Sequence, residues 1–352
     1  MIEDDDLDAA VEAGLIDQET RIRLDAFTRE RRRAQSARPP PAVANPVLTP
    51  RFDFVHVLYY AGALLVIGAM GLLADAAFEQ FGGWALAGIA ILYGAGFLWF
   101  GRLLWKTPET RIPGGLCVAV SVTTAPAFVY GVLVAIGFAS GHPALSRIGM
   151  EGAAILAGAL ALRRFAFPFI LLIIGVAAWM LATDVIVLVV TGRYPRWEEA
   201  WDLRRSVTLA VGVLMILAGW ALDLKNAGPG DFGFWPHALG AAGVWGAATL
   251  AGNPDNLVYC GFNIALIGLG VFLFRRVYAV FGGIGVAIYL GVLAFAVMRN
   301  TFAFGLALAA IGVVVVFAAL ALEKRKSRLS AWLDARLPST LRALRPPHAR
   351  LA

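Results

Sequence analysis

Residues 165–190 read FAFPFILLIIGVAAWMLATDVIVLVV, and Asp184 is the one ionisable side chain in this stretch. A helix of about 20 apolar residues spans a hydrocarbon core of ~30 Å. The stretch therefore predicts a transmembrane helix, and similar stretches recur along most of the chain. The ten candidate spans are 54–74, 83–104, 114–137, 148–162, 165–191, 206–224, 232–251, 256–274, 277–297 and 302–322.

The composition of the 352 residues agrees with this pattern. Hydrophobic residues make up 59% and charged residues 15%, against roughly 45–50% and roughly 25% in soluble proteins. The segment 54–322 holds only 25 charged residues, and the two tails hold the other 29. These values exclude a soluble enzyme, a nucleic-acid-binding domain and a disordered chain. We predict an all-α, polytopic transmembrane helix bundle of about ten spans, with no nucleic-acid partner.

The segment 148–162 decides the predicted topology, because its purely apolar part, 152–162, is short enough for a re-entrant or interfacial segment. Cytoplasmic loops of membrane proteins carry an excess of Lys and Arg. With ten spans and the N-terminus inside, 24 Lys and Arg lie inside and 6 outside. If the fourth segment does not cross, the numbers become 16 and 14. We therefore predict ten spans with both termini in the cytoplasm.

The N-terminal residues 1–35 predict a cytosolic helical hairpin, with one helix over 7–13 and a second over about 18–34. Asp17 is placed to cap the second helix. A hairpin of this size is not stable alone, so we expect it to dock, with a cytosolic protein as a candidate partner. Residues 36–53 predict an extended linker, since 36–50 contain five prolines.

The C-terminal tail, 323–352, is basic and predicts an amphipathic helix at its start. Its apolar residues fall on one helical face, namely Leu329, Trp332, Leu333 and Leu337. Basic residues around such a face are typical of a helix that lies on anionic lipid. The alternative is an ordinary stop-transfer tail. The lipid bilayer is thus the predicted partner of both the spans and the tail.

Ionisable residues inside a membrane segment are the default pointers to function. Asp184 lies near the predicted outer end of the fifth span, and Glu151 lies near the outer end of the antiparallel fourth span. We expect both carboxylates at similar depth, with Arg147 and Arg193 as available partners. Two interpretations remain open: a proton- or cation-binding site in the outer leaflet, or a structural ion pair between helix ends.

A second group of polar residues lies at the centre of the third span, in SVTTAPAF (121–128). Pro126 frees a backbone carbonyl and is expected to kink the helix, and Thr123 and Thr124 add hydroxyls beside it. Transporters build substrate and ion sites from broken helices of this kind, although neighbours also tolerate prolines in ordinary spans. Asn263 in the eighth span is another polar group, for which helix–helix contact is the favoured role.

Small residues four apart predict close packing of helices within the bundle, with contacts between copies of the chain as the alternative. One such face in the ninth span comprises Ala279, Gly283, Ala287 and Gly291. Catalytic and metal-binding motifs are missing, and the four histidines are scattered over different segments. The sequence GPGDFG (228–233) formally matches a dinucleotide fingerprint, but it follows a membrane span rather than a strand. We therefore predict neither a cofactor nor a metal, and no enzyme.

Several segments resemble known bacterial sequences. AVEAGLIDQETRIRLDAF (10–27) is similar to the cytoplasmic helical module that heads the family called domain of unknown function 2157. FDFVHVLYYAGALLVIGAM (52–70) and FAFPFILLIIGVAAWMLATD (165–184) resemble an uncharacterised proteobacterial family of multi-spanning membrane proteins. The resemblance implies a location in the bacterial inner membrane. It implies no activity and no catalytic residues.

The sequence leaves three functions open. The first is a structural or regulatory membrane protein that docks a cytosolic partner through residues 1–35. The second is a secondary transporter of a small solute. The third, and least favoured, is a membrane enzyme acting on lipid. A water-filled path to Thr123 favours transport, whereas a sealed bundle favours the first function.

Overall fold

The computed structural model describes residues 17–21, 54–225, 230–252 and 254–297, together with isolated positions between 305 and 317. The chain divides into two units, Met1–Val47 and Leu48–Ala352. In the first unit, the Asp17 carboxylate accepts a hydrogen bond of 2.9 Å from the Thr20 amide at the start of a helix. Hydrogen bonds from Thr20 lower the pKa of Asp17. The predicted helix 7–13, the second helix beyond residue 21, the linker, most of the tenth span 302–322 and the tail 323–352 lie outside the described residues.

The second unit is built from long helices, and no strand occurs among its described residues. We number the helices α1 to α9. They are α1 (Phe54–Phe81), α2 (Gly83–Leu104), α3 (Arg111–Ala135), α4 (Pro143–Phe165), α5 (Ile170–Thr191), α6 (Trp201–Lys225), α7 (Phe234–Thr249), α8 (Leu257–Leu273) and α9 (Arg276–Val297). The prediction of an all-helical fold is confirmed for this part of the chain.

Six apolar stretches in the described residues are long enough to cross a membrane. They are Gly83–Leu104, Pro108–Ala135, Pro143–Phe165, Ile170–Thr191, Glu198–Lys225 and Arg276–Phe295. Many large hydrophobic side chains on their surfaces are exposed, among them Leu92 (71%) and Trp99 (68%). Helices that expose such side chains need a lipid environment, so the chain is a membrane protein.

The fourth helix is longer than the sequence predicted. In place of 148–162, α4 covers Pro143–Phe165, which is 23 residues. Near its N-terminus, Arg147 contacts Tyr194, which follows α5. At its C-terminus, Phe165 packs edge-on against Trp105, which follows α2. The polar residues Ser146, Arg147 and Glu151 extend the helix beyond its apolar part, so its length and composition are sufficient to cross a membrane.

Helices α2 and α3 touch through their backbones. A Cβ atom built on Gly83 would lie 2.3 Å from the carbonyl oxygen of Gly131, and one built on Gly131 would lie 2.7 Å from that of Gly83. Neither position has room for a methyl group. Small residues permit this approach, and close packing is the main attraction between helices in lipid.

We expect Gly131→Ala to destabilise the bundle by about 1–3 kcal/mol, because a methyl group must separate α2 from α3. The free energy of unfolding in mixed micelles of mild detergent and dodecyl sulfate measures this effect. Gly88→Ala is the matched control, since a Cβ there meets no atom within 4 Å. Equal stability of the two variants would contradict the packing.

Asn263 lies at the contact between α8 and α9. Its side chain is fully buried, its amide donates to the Tyr259 carbonyl at 2.8 Å, and a Cβ on Gly285 would fall 1.8 Å from its Oδ1 atom. Gly282 makes a second close approach, with its Cβ position 2.5 Å from the Asn263 carbonyl oxygen. In the predicted packing face, Ala279 lies 3.1 Å from a Cβ built on Gly270 of α8, whereas a Cβ at Gly283 meets no atom of the described residues within 4 Å.

Candidate functional site

A groove runs between α5, α6 and α7 and encloses a cavity of about 400 Å³. Helix α6 contributes Arg204, Thr208, Val211 and Met215, which recur at intervals of four, three and four residues. Helix α7 contributes small and aliphatic residues, including Leu239, Gly243 and Gly246. Trp179 and Met180 of α5 form the opposite wall. Both are partly exposed, at 39% and 48%, so the groove opens on the outer surface of the bundle.

The groove has a polar end and an apolar end. Arg204 and Met215 are 11 residues apart on α6, which corresponds to about 16 Å at 1.5 Å per residue. That length is close to half of the ~30 Å hydrocarbon core. One turn beyond Met215, the imidazole of His237 packs on Gly219, 3.0 Å from the position of a Cβ. At the same end, a Cβ built on Gly175 of α5 would lie 2.5 Å from Leu239 and 3.8 Å from Met215, so α5 closes against α6 and α7 there.

A buried ion pair occupies the polar end. Arg204 Nη1 donates to Asp184 Oδ1 at 3.2 Å, and the two side chains are 4% and 7% exposed. The Tyr194 hydroxyl donates to the same carboxylate oxygen at 3.0 Å. This pair joins the end of α5 to the start of α6. Removing either charge would leave the other buried and uncompensated.

The guanidinium of Arg204 lies between aromatic rings. Its Cζ atom is 4.6 Å from the ring centroid of Trp197 and 5.4 Å from that of Tyr194. The Nε atom is buried and has no hydrogen-bond partner among the described residues. Buried N–H groups are costly to leave unpaired. Arg204 therefore carries a buried, unpaired N–H donor, and the residue lines the polar end of the groove.

Two further arginines line the same end. Arg147 is exposed, donates to the Tyr194 hydroxyl at 2.7 Å and lies 4.9 Å from the centre of that ring. Arg205 is 3.6 Å from Asp202, whose side chain is 87% exposed, so this contact is weak. The groove lining thus carries three arginines and one carboxylate, Asp184. An anion is the complementary ligand.

The structure brings Asp184 and Glu151 into electrostatic range of each other. Glu151 is 6% exposed, and its Oε2 atom has no described partner. Of the two expected arginine partners, Arg147 lies within electrostatic range of Glu151. Asp184 pairs with Arg204, while Arg193 pairs with Glu199 at 2.6 Å. The reason is that α6 begins with Arg204 turned towards the bundle, and the loop before it carries Arg193 outwards.

The other predicted site residues lie elsewhere. Helix α3 continues through Pro126 without a break. The Thr123 hydroxyl donates to the Val120 carbonyl and that of Thr124 to the Ser121 carbonyl, at 2.7 and 2.8 Å. Thr123 is exposed on the surface of α3, whereas Asn263 is buried between α8 and α9. Neither described cavity is lined by these residues.

A second buried polar network lies at the opposite end of α6. His237 is fully buried, with Nε2 3.1 Å from Asp223 Oδ2 and Nδ1 2.5 Å from the Tyr278 hydroxyl. Arg275 donates to Asp223 and also to Asp231. Burial opposes the charge of Arg275, but hydrogen bonds to Asp231 and Asp223 outweigh it and raise the pKa of the guanidinium. The network ties together the ends of α6, α7 and α9.

Sequence reasoning missed Arg204, Tyr194 and the network around His237. The signal for Arg204 was its position at the start of an apolar helix, but four arginines within 193–205 compete for that role. No group of three His, Cys, Asp or Glu among the described residues is arranged to hold a metal ion. No family model, no curated protein and no solved structure matches the chain.

Proposed function

We propose that this membrane protein binds an anionic amphiphile, taken from one leaflet of the bilayer, in the groove between α5, α6 and α7. The observation that carries the proposal is the buried, incompletely bonded guanidinium of Arg204 at the end of an apolar groove. The groove is as deep as one leaflet of hydrocarbon. A single acyl or prenyl chain fits this depth, with its charged head at the arginines.

The head group supplies most of the selectivity in this proposal. An acyl chain that enters the groove moves from one apolar environment to another, so it gains little hydrophobic free energy. A charge-assisted hydrogen bond contributes about 1.5–3 kcal/mol, which corresponds to roughly 10- to 150-fold in affinity. Arginine also presents planar, paired donors that suit phosphate and carboxylate oxygens.

The closed apolar end favours a binding and regulatory role over transport. At that end, Gly175 of α5 packs against Leu239 and Met215, so the groove ends there instead of continuing across the bundle. We propose a regulatory protein rather than an enzyme or a transporter, with residues 1–35 as the docking site for a cytosolic partner. The basic tail 323–352 is proposed to contact anionic lipid. Membership of the domain of unknown function 2157 family remains a prediction.

The location of the groove depends on the proposed topology. Ten spans with both termini in the cytoplasm place the starts of α4 and α6 on the outer side, together with the end of α5. The polar end of the groove then faces the outer leaflet of a bacterial inner membrane. Labelling of single cysteines in the 192–205 loop of intact cells by a membrane-impermeant reagent is the expected result. Labelling only in inverted vesicles would show that this loop lies on the cytoplasmic side, which is opposite to the proposed topology.

Binding of lysophosphatidic acid to the purified full-length chain in nanodiscs of neutral lipid tests the function. We expect saturable binding, and weaker binding of lysophosphatidylcholine, whose head carries a compensating cation. Arg204→Lys keeps the charge but loses the paired donors, and we expect it to weaken binding about tenfold or more. Equal affinity of the two lipids would overturn the proposal.

A steric variant separates groove binding from adsorption to the surface. Gly246 lines the groove, and a Cβ there meets no atom within 4 Å. Gly246→Leu therefore fills the groove without a clash and is expected to abolish binding. Gly268→Leu adds the same side chain at an exposed position on α8 with equally open space. This control is expected to bind like the wild type.

A further inference from the structure

A second cavity, of about 430 Å³, lies beside the polar end of the groove. It is formed by the end of α1, the end of α3, the turn 138–141 and the start of α4. Its lining includes the aromatic pair Phe78 and Tyr130, with ring centroids 6.0 Å apart, and the hydroxyls of Ser140 and Ser146.

Arg147 belongs to both cavities, because its side chain lines the groove and the second cavity. A guanidinium has five N–H donors. In the described part of the chain, one hydrogen bond of Arg147 is resolved, to the Tyr194 hydroxyl. Arg147 is exposed and also lies within electrostatic range of Glu151. An anion at this position would have the apolar groove on one side and the second cavity on the other.

The second cavity has the chemistry of a site for an uncharged, hydrogen-bonding group. Ser146 is 2% exposed and donates to the His142 carbonyl at 2.9 Å, and Ser140 donates to the Gly137 carbonyl at 3.0 Å. Both hydroxyl oxygens keep lone pairs that accept hydrogen bonds from a ligand. A cationic group is disfavoured, because Arg147 would repel it.

We infer that the ligand of the groove is a phosphodiester lipid with an uncharged polyol or sugar head group, which occupies the second cavity. This inference rests on the proposed function, since it assumes that the groove holds the acyl chain of the lipid. The phosphate binds Arg147 and Arg204. The hydroxyls of the head group donate hydrogen bonds to Ser140 and Ser146, and the acyl chain extends towards Met215.

Comparing lysophosphatidylglycerol with lysophosphatidic acid tests the inference, because both carry a phosphate and one of them adds a polyol. We expect the full-length wild type in neutral nanodiscs to bind lysophosphatidylglycerol about fivefold or more tightly than lysophosphatidic acid. Ala139 lines the second cavity, so Ala139→Phe fills it and is expected to abolish this preference. Binding of lysophosphatidic acid to that variant is expected to stay within about twofold of the wild type.

Gly141→Phe is the matched control, because it adds the same ring in the same turn where a Cβ meets no atom within 4 Å. It is expected to keep the preference for the polyol lipid. Equal affinity of the two lipids in the wild type, or an unchanged preference in Ala139→Phe, would overturn the inference and leave the groove proposal standing. Failure of both lipids to bind would overturn the proposed function itself.

Discussion

Replacing Asp223 by alanine is expected to cost about 3–5 kcal/mol of stability, among the largest effects of any single substitution in the described chain. The Asp223 carboxyl is 2% exposed and serves both His237 and Arg275. Without it, the buried guanidinium of Arg275 loses a bidentate partner, and His237 loses the acceptor at its Nε2 atom. The free energy of unfolding in mixed micelles is the measurement.

Asp231→Ala is the control for this prediction. The Asp231 side chain binds the same arginine but is 38% exposed, so water replaces much of what the arginine loses. We expect this variant to lose clearly less stability than Asp223→Ala. If the two variants were equally stable, the buried position of Asp223 would not be the source of the effect.

Replacing Asp184 by alanine is the second large prediction, again with an expected loss of about 3–5 kcal/mol. The substitution leaves Arg204 buried between Trp197 and Tyr194 without a counter-charge. Replacing Arg204 by methionine as well removes the buried, unpaired positive charge. The double variant Asp184→Ala/Arg204→Met is therefore expected to be more stable than Asp184→Ala alone. Stability of these variants is measured in the same micelles.

Arg193→Ala provides the exposed counterpart, because the Arg193 and Glu199 side chains are 66% and 42% exposed. Exposed pairs contribute roughly 0–1 kcal/mol, so this variant is expected to resemble the wild type. A double variant no more stable than Asp184→Ala would contradict the account of Asp184 and Arg204 as a coupled pair.

The helical fold was predictable because it depends on local composition. Apolar stretches of about 20 residues fix the existence of helices. The first nine predicted spans coincide in position with α1–α9, and six helices in the described residues are long and apolar enough to cross a membrane. Their ends were less predictable. The segment 148–162 became Pro143–Phe165, because polar residues such as Glu151 continue a helix when neighbouring helices bury them.

The candidate site was only partly predictable, because charged partners are chosen by packing. The sequence identified Asp184 as the one charged residue in an apolar stretch. It did not identify the partner of Asp184, which depends on which arginine at the start of α6 is buried in the bundle. The groove itself arises partly because Gly246 of α7 leaves space that no described neighbour within 4 Å fills. Sequence spacing identifies small residues but does not tell whether a neighbour fills the space. Gly282 and Gly283 illustrate this difference, since only the former packs against other described residues.

The most direct test of the central claim is to locate the acyl chain of the bound lipid in the protein. Lysophosphatidic acid with a photoreactive diazirine at the end of its acyl chain is bound to the purified protein and illuminated, and peptides are mapped by mass spectrometry. We predict labelling around Met215 and Leu239, at the closed end of the groove, and loss of that labelling in Gly246→Leu. Labelling spread over lipid-exposed residues such as Leu92 and Trp99, and unchanged in Gly246→Leu, would contradict the account.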